Sequence, residues 1–178
     1  MTLQKFISRL NWRQIVIHFI ASFFFIYAFM TLAYLYDSKL LDRIRLSNQV
    51  DKIQGIETVK YSTVDFINFL RIPLYSAIVG LWIAFIISLV ISIRRKWFWF
   101  NSLITFLLTY FLYRFDLIGW RYLKNIFLAL GQLFNDTFIE LLLNGTLMLT
   151  IGLFLFFLRP ILRFIDNGNK LRDHYSQH

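Results

Sequence analysis

His18 is the one ionisable side chain well inside an apolar run of this chain. An imidazole there can sense or transfer a proton, and an intramembrane ionisable group is a functional candidate by default. It sits about one turn in from Arg13, so a hydrogen-bonded or headgroup-facing histidine is the competing role. No buried carboxylate pair accompanies it to build a proton relay.

Two further patterns repeat every four residues. Ser76, Gly80, Ala84, Ser88 and Ser92 form a ladder of small residues. In lipid, no hydrophobic drive brings helices together, so close backbone approach and dispersion must do it. The ladder is therefore a helix-packing interface, either inside one bundle or between copies of the chain or partner subunits. Asn101, Thr105, Thr109 and Tyr113 form a polar stripe, with Asn144 supplying a second amide from another run. Such a stripe joins helices by hydrogen bonds, or lines a narrow path for water or a small neutral solute. Mostly hydroxyls with two amides offer no obvious site for a charged one.

Other chemistry finds little support. There is no cysteine, hence no thiol catalysis, thiolate metal site or disulfide. His174 and His178 are spaced i, i+4 in a polar tail without fixed partners, which points to chance, so no metal or cofactor is expected. No H-E-x-x-H, G-x-S-x-G, P-loop or G-x-G-x-x-G occurs. No catalytic residue is assigned, and the chain is read as non-enzymatic.

These residues need elements to hold them, and composition says which. Of the 178 residues 58% are apolar and 16% charged, against about 25% charged in a typical soluble domain. That excludes a disordered chain, a disulfide scaffold and an ordinary soluble enzyme. The net charge of +9 would suggest nucleic acid in a soluble protein. Here the basic residues cluster at the ends of apolar runs, as topology signals and contacts for anionic lipid headgroups do. No nucleic-acid partner is expected.

Four apolar runs predict an all-α integral membrane protein with four transmembrane helices: 15–36, 73–93, 97–113 and 138–158. The first reaches roughly 33 Å at about 1.5 Å per residue, enough for a hydrocarbon core of about 30 Å. It is too long for a signal-peptide core and reads as an uncleaved anchor. Pro73 suits a first helical position. Arg94, Arg95 and Lys96 make a tight turn between the second and third runs. Thr137 and Glu140 have capping-box spacing ahead of the fourth. The third run, at 97–113, is near the short limit for a crossing.

Lys and Arg in the short flanks set the orientation. Lys5, Arg9 and Arg13 precede the first run without an acid, and 94–96 is purely basic. Loops 37–72 and 114–137 carry both signs. Both termini are therefore expected in the cytoplasm and both longer loops outside, by default across a bacterial inner membrane. Trp97 and Trp99, and Tyr34, Tyr36, Tyr110 and Tyr113, fall at the two boundaries where amphipathic rings prefer to sit.

Within the second loop, Trp120, Leu123, Phe127, Leu130 and Phe134 recur at helical spacing. They predict an extracytoplasmic interfacial amphipathic helix over 117–135, with a re-entrant segment as the alternative. Loop 37–72 is too short for an independent core and is expected to pack on the bundle or on another protein. The tail from 167 to 178 is polar and expected to fray.

Three function classes fit. The first is an accessory or assembly subunit of a membrane complex, using the ladder and the outer loop. The second is a small oligomeric channel, transporter or membrane-perturbing effector lined by the stripe. The third is a membrane-embedded sensor.

Overall fold

The computed structural model describes residues 9–41, 63–115 and 136–175. Among the described residues there are five α-helices: α1 (Trp12–Ala33), α2 (Thr63–Arg94), α3 (Phe100–Arg114), α4 (Thr137–Phe157) and α5 (Arg159–Tyr175). A 3-10 turn, Tyr34–Asp37, extends α1. Among the described residues three segments are long and apolar enough to cross a membrane: Trp12–Leu41, Ile67–Arg94 and Thr137–Phe157. The expected third crossing is represented by α3, whose 15 residues cover only about 22 Å. The expected interfacial helix, with Trp120, Leu123, Phe127, Leu130 and Phe134, lies outside the described residues.

α1 is the hub. It packs against α2, α3, α4 and α5, whereas α2 and α4 share no extended interface with each other. Its buried residues accordingly cover more than half of the helix surface, from Gln14 and Ile15 through Ala21, Ser22 and Phe23 to Phe25, Ile26 and Ala28, and leave Trp12, Val16 and Ile20 exposed on the remaining face. The larger core cluster joins Ala21 and Phe25 of α1 to Ala84 and Ile91 of α2, Phe156 of α4, and Leu162 and Ile165 of α5. A smaller one joins Ile26 to Ala77 and Leu81. The outward faces are apolar too: Tyr75, Ile78, Trp82 and Ile86 of α2, and Phe138, Leu142, Phe154 and Phe157 of α4, are all exposed. Exposed apolar surface on that scale suits a bilayer and not water.

Local chemistry accounts for the helix ends. Asn11 caps α1, its side-chain oxygen accepting from the Gln14 N–H at 3.2 Å. α2 ends in a Schellman turn, with Lys96 N–H donating to the Ile93 carbonyl and Trp97 N–H to the Ser92 carbonyl. Lys96 takes the left-handed conformation there, φ 56°, a position usually filled by glycine. α4 breaks at Leu158, whose backbone is extended, and α5 restarts with Pro160 in its first turn, where a missing N–H is tolerated.

Three expectations need correction. Pro73 is not at a helix start: α2 runs continuously from Thr63 through it, because a helix carried by its neighbours tolerates one lost backbone bond. The N-cap of α4 is not Thr137. Asp136 is the N-cap instead, its carboxylate accepting from the Phe138 and Ile139 N–H groups, which makes Thr137 the first helical residue. The tail expected to fray from 167 is helical to Tyr175.

Candidate functional site

The start of α1, the end of α2, the start of α3 and the first turns of α5 meet at one end of the bundle. Arg9, Arg13, Arg94, Arg95, Lys96, Arg159 and Arg163 all lie on these segments, so this is the basic end of the molecule. Just inside it lies a cluster of buried polar side chains: Asn11, Gln14, His18, Ser88, Ser92, Asn101 and Ser102, each at most 4% exposed.

Six hydrogen bonds join α1, α2 and α3 through this cluster. Asn101 is read twice by α1: its oxygen accepts from the Asn11 N–H at 3.2 Å, and its amide donates to Gln14 Oε1 at 2.8 Å. Gln14 Nε2 donates to Ser92 Oγ at 2.7 Å. His18 Nδ1 lies 2.6 Å from Ser88 Oγ. Ser88 and Ser92 reach Ser102 Oγ at 2.8 and 2.9 Å. At about 0.6 kcal/mol per bond in lipid, the cluster contributes a few kcal/mol to holding three helices in register.

The proton positions follow from counting donors. Ser92 donates to the Ser88 carbonyl, so Ser102 must donate to Ser92. Ser88 donates to Ser102, so it accepts from His18. The ring is thereby assigned its proton on Nδ1, and the four groups form one directional chain, His18 to Ser88 to Ser102 to Ser92. His18 Nε2 is left buried without a hydrogen-bond partner. Phe156 meets the ring edge-on at 5.0 Å, and Trp97 lies tilted at 6.0 Å.

A clamp closes the cluster at the basic end. Asp166 of α5 accepts from Arg95 at 2.6 Å and from the Trp97 indole N–H at 2.7 Å. The Asn11 amide donates to the Ile165 carbonyl. Arg13 donates to the Phe164 carbonyl and lies 4.4 Å over the Phe164 ring. These contacts seat α5 across the mouth of the bundle.

The ladder faces inward. Ala84 is fully buried, Ser88 and Ser92 belong to the cluster, and a Cβ on Gly80 would come within 2.7 Å of the Phe25 carbonyl oxygen. From Gly80 to Ser92 the face is occupied by α1 and α3 of the same chain; Ser76 is half-buried. The stripe is divided. Asn101 joins the cluster, while the buried Thr105 and Thr109 hydroxyls donate to carbonyls one turn back in α3. Tyr113 is half-buried and edge-on to Tyr27. Asn144, in α4, is buried with its amide nitrogen unpartnered. Thr146 and Thr150 are exposed, and each donates to a carbonyl of its own helix, which suits a hydroxyl facing lipid.

Asn11, Gln14 and Asp166 belong to the site without standing out in the sequence, and Arg95 and Trp97, read there as a turn residue and a boundary ring, join it as partners of Asp166. A signal existed: Gln14, His18 and Ser22 repeat every four residues, the same step as the small residues of α2 and the polar ones of α3. Among the described residues no group of three or more His, Asp or Glu could hold a metal ion. The chain matches no family model, and no curated protein or solved structure is similar to it.

Proposed function

We propose that the chain is a non-enzymatic multi-pass membrane protein that crosses the bilayer four times, with both termini in the cytoplasm, and acts as an accessory or assembly subunit of a membrane complex. One observation carries this reading: the polar chemistry is closed inside the chain. The amides and hydroxyls of Gln14, Ser88, Ser92, Asn101 and Ser102 are engaged with one another beneath the Asp166 clamp, and Asn144 is buried within the chain. What faces outward is apolar helix surface, available to lipid or to neighbouring subunits. Four crossings are supported by the meeting of helix ends at the basic end, since α1 to α4 alternate in direction. The closed stripe argues against a pore through one copy, because its buried threonines bond to their own backbone. The bacterial inner membrane remains the favoured location, from the size and compact loops of the chain.

A sensor is the second reading, favoured by the bare Nε2 of His18. Purification in mild detergent at native abundance, followed by intact-particle mass measurement, separates the two. A subunit co-purifies with fixed partners in fixed stoichiometry. A particle holding this chain alone would contradict the subunit reading.

A further inference from the structure

We propose that the groove between α2 and the α4–α5 junction binds an acyl chain of an anionic phospholipid, with its phosphate on Arg94. Because α2 and α4 both pack on α1 but not at length on each other, a gap remains between them. It lies where α4 breaks at Leu158 and α5 begins, with Phe157 and Leu162 on either side of the break lining it. The resulting groove has a volume of about 390 Å³, within the range of ligand pockets. Ile87 and Val90 form one wall, Phe157 and Leu162 the other, and Arg94 and Arg95 close one end.

The chemistry selects the occupant. The walls are almost wholly apolar, so water has no partners there, and within a bilayer the available filler is a lipid tail. The charged end discriminates among lipids. The charge of Arg95 is committed to Asp166 at 2.6 Å. Arg94 is exposed and makes no ion pair among the described residues, and Lys96 stands exposed two positions on. A guanidinium at the end of an apolar span lies at headgroup depth and presents paired donors to phosphate oxygens. Tail and headgroup thus meet one continuous site with an apolar trough and a basic end. This goes beyond the subunit reading and survives its failure, since it requires only that the chain lie in a bilayer.

The test is native mass spectrometry of the full-length protein in detergent, titrated with phosphatidylglycerol and with phosphatidylcholine of identical acyl chains. The wild type is expected to prefer phosphatidylglycerol. Arg94→Gln should lower that preference about fivefold, the worth of one Lys or Arg at an anionic surface. Val90→Trp, which fills the trough from a lipid-facing position, should weaken both lipids. Arg114→Gln, at the far end of the bundle, should change neither. Equal binding of the two lipids by the wild type, or wild-type binding by Val90→Trp, would overturn the proposal. A second measurement needs no substitution. Phosphatidylglycerol with a photoreactive group in its tail should label peptides covering 86–95 and 157–162, and labelling confined to other segments would equally overturn it.

Discussion

The two halves of α1 hold their neighbours by opposite means. In the basic half, Gln14 and His18 reach hydroxyls on α2, Asn101 on α3 spans Asn11 and Gln14, and directed hydrogen bonds set the register. Further along, the contacts depend on missing side chains. A Cβ on Gly80 of α2 would meet the Phe25 carbonyl at 2.7 Å, and one on Gly152 of α4 would meet the Phe25 ring at 2.8 Å. The small-residue ladder of α2 crosses from one regime to the other between Ala84 and Ser88. A small residue in a membrane helix thus has two separable uses: it lets backbones approach, or it places a hydroxyl within reach of a partner.

Substitutions that interchange the two uses test that contrast. The largest effect is expected from Gly80→Leu, which drives a side chain into backbone. It should destabilise the fold by about 3 kcal/mol or more, read from denaturant unfolding in micelles. Ordinary stability would mean that α1 and α2 are not in the close contact described. Next comes Asn101→Leu, which leaves the Asn11 N–H and Gln14 Oε1 without their partner. A loss of about 2 kcal/mol is expected, and no loss would show that the cluster is dispensable.

Asp166→Asn weakens the clamp without touching the cluster. Because both partners are about one-third exposed, the expected loss is only about 0.5–1 kcal/mol. Its signature is local: faster amide hydrogen exchange over 159–168, with α1 unchanged. The smallest effect is a gain. Lys96→Gly relieves the left-handed strain at the α2–α3 turn and should stabilise by up to about 1 kcal/mol. A loss at that site would assign the lysine side chain a role that its backbone conformation does not explain.

The long apolar helices are legible in the sequence because a run that is apolar all round has few other fates. Pro73 misleads because breaker rules come from water, whereas neighbouring helices and lipid sustain α2 through it. α5 is hidden by Asp166, Asn167 and Gly168, although Ile161, Leu162 and Ile165 already carry the spacing of a buried stripe. The candidate site is legible only in halves. Each helix shows its polar step, but which step meets which depends on how the helices cross, and periodicity carries no crossing angle. Asn11 and Gln14 read as flanking residues until α3 and α5 are placed against them. Asn144 reads as part of the stripe, yet its amide nitrogen finds no partner.

The central claim is that the short α3 turns through the membrane with its longer neighbours, so that the basic turn and the far ends of α1 and α3 lie on opposite faces. Since the chain has no cysteine, single reporters can be placed at Tyr36→Cys, Lys96→Cys and Phe115→Cys, all exposed positions. With a membrane-impermeant maleimide applied to intact cells, positions 36 and 115 should label from outside, and position 96 only in inverted vesicles. Labelling of 96 and 115 from the same face would contradict the account.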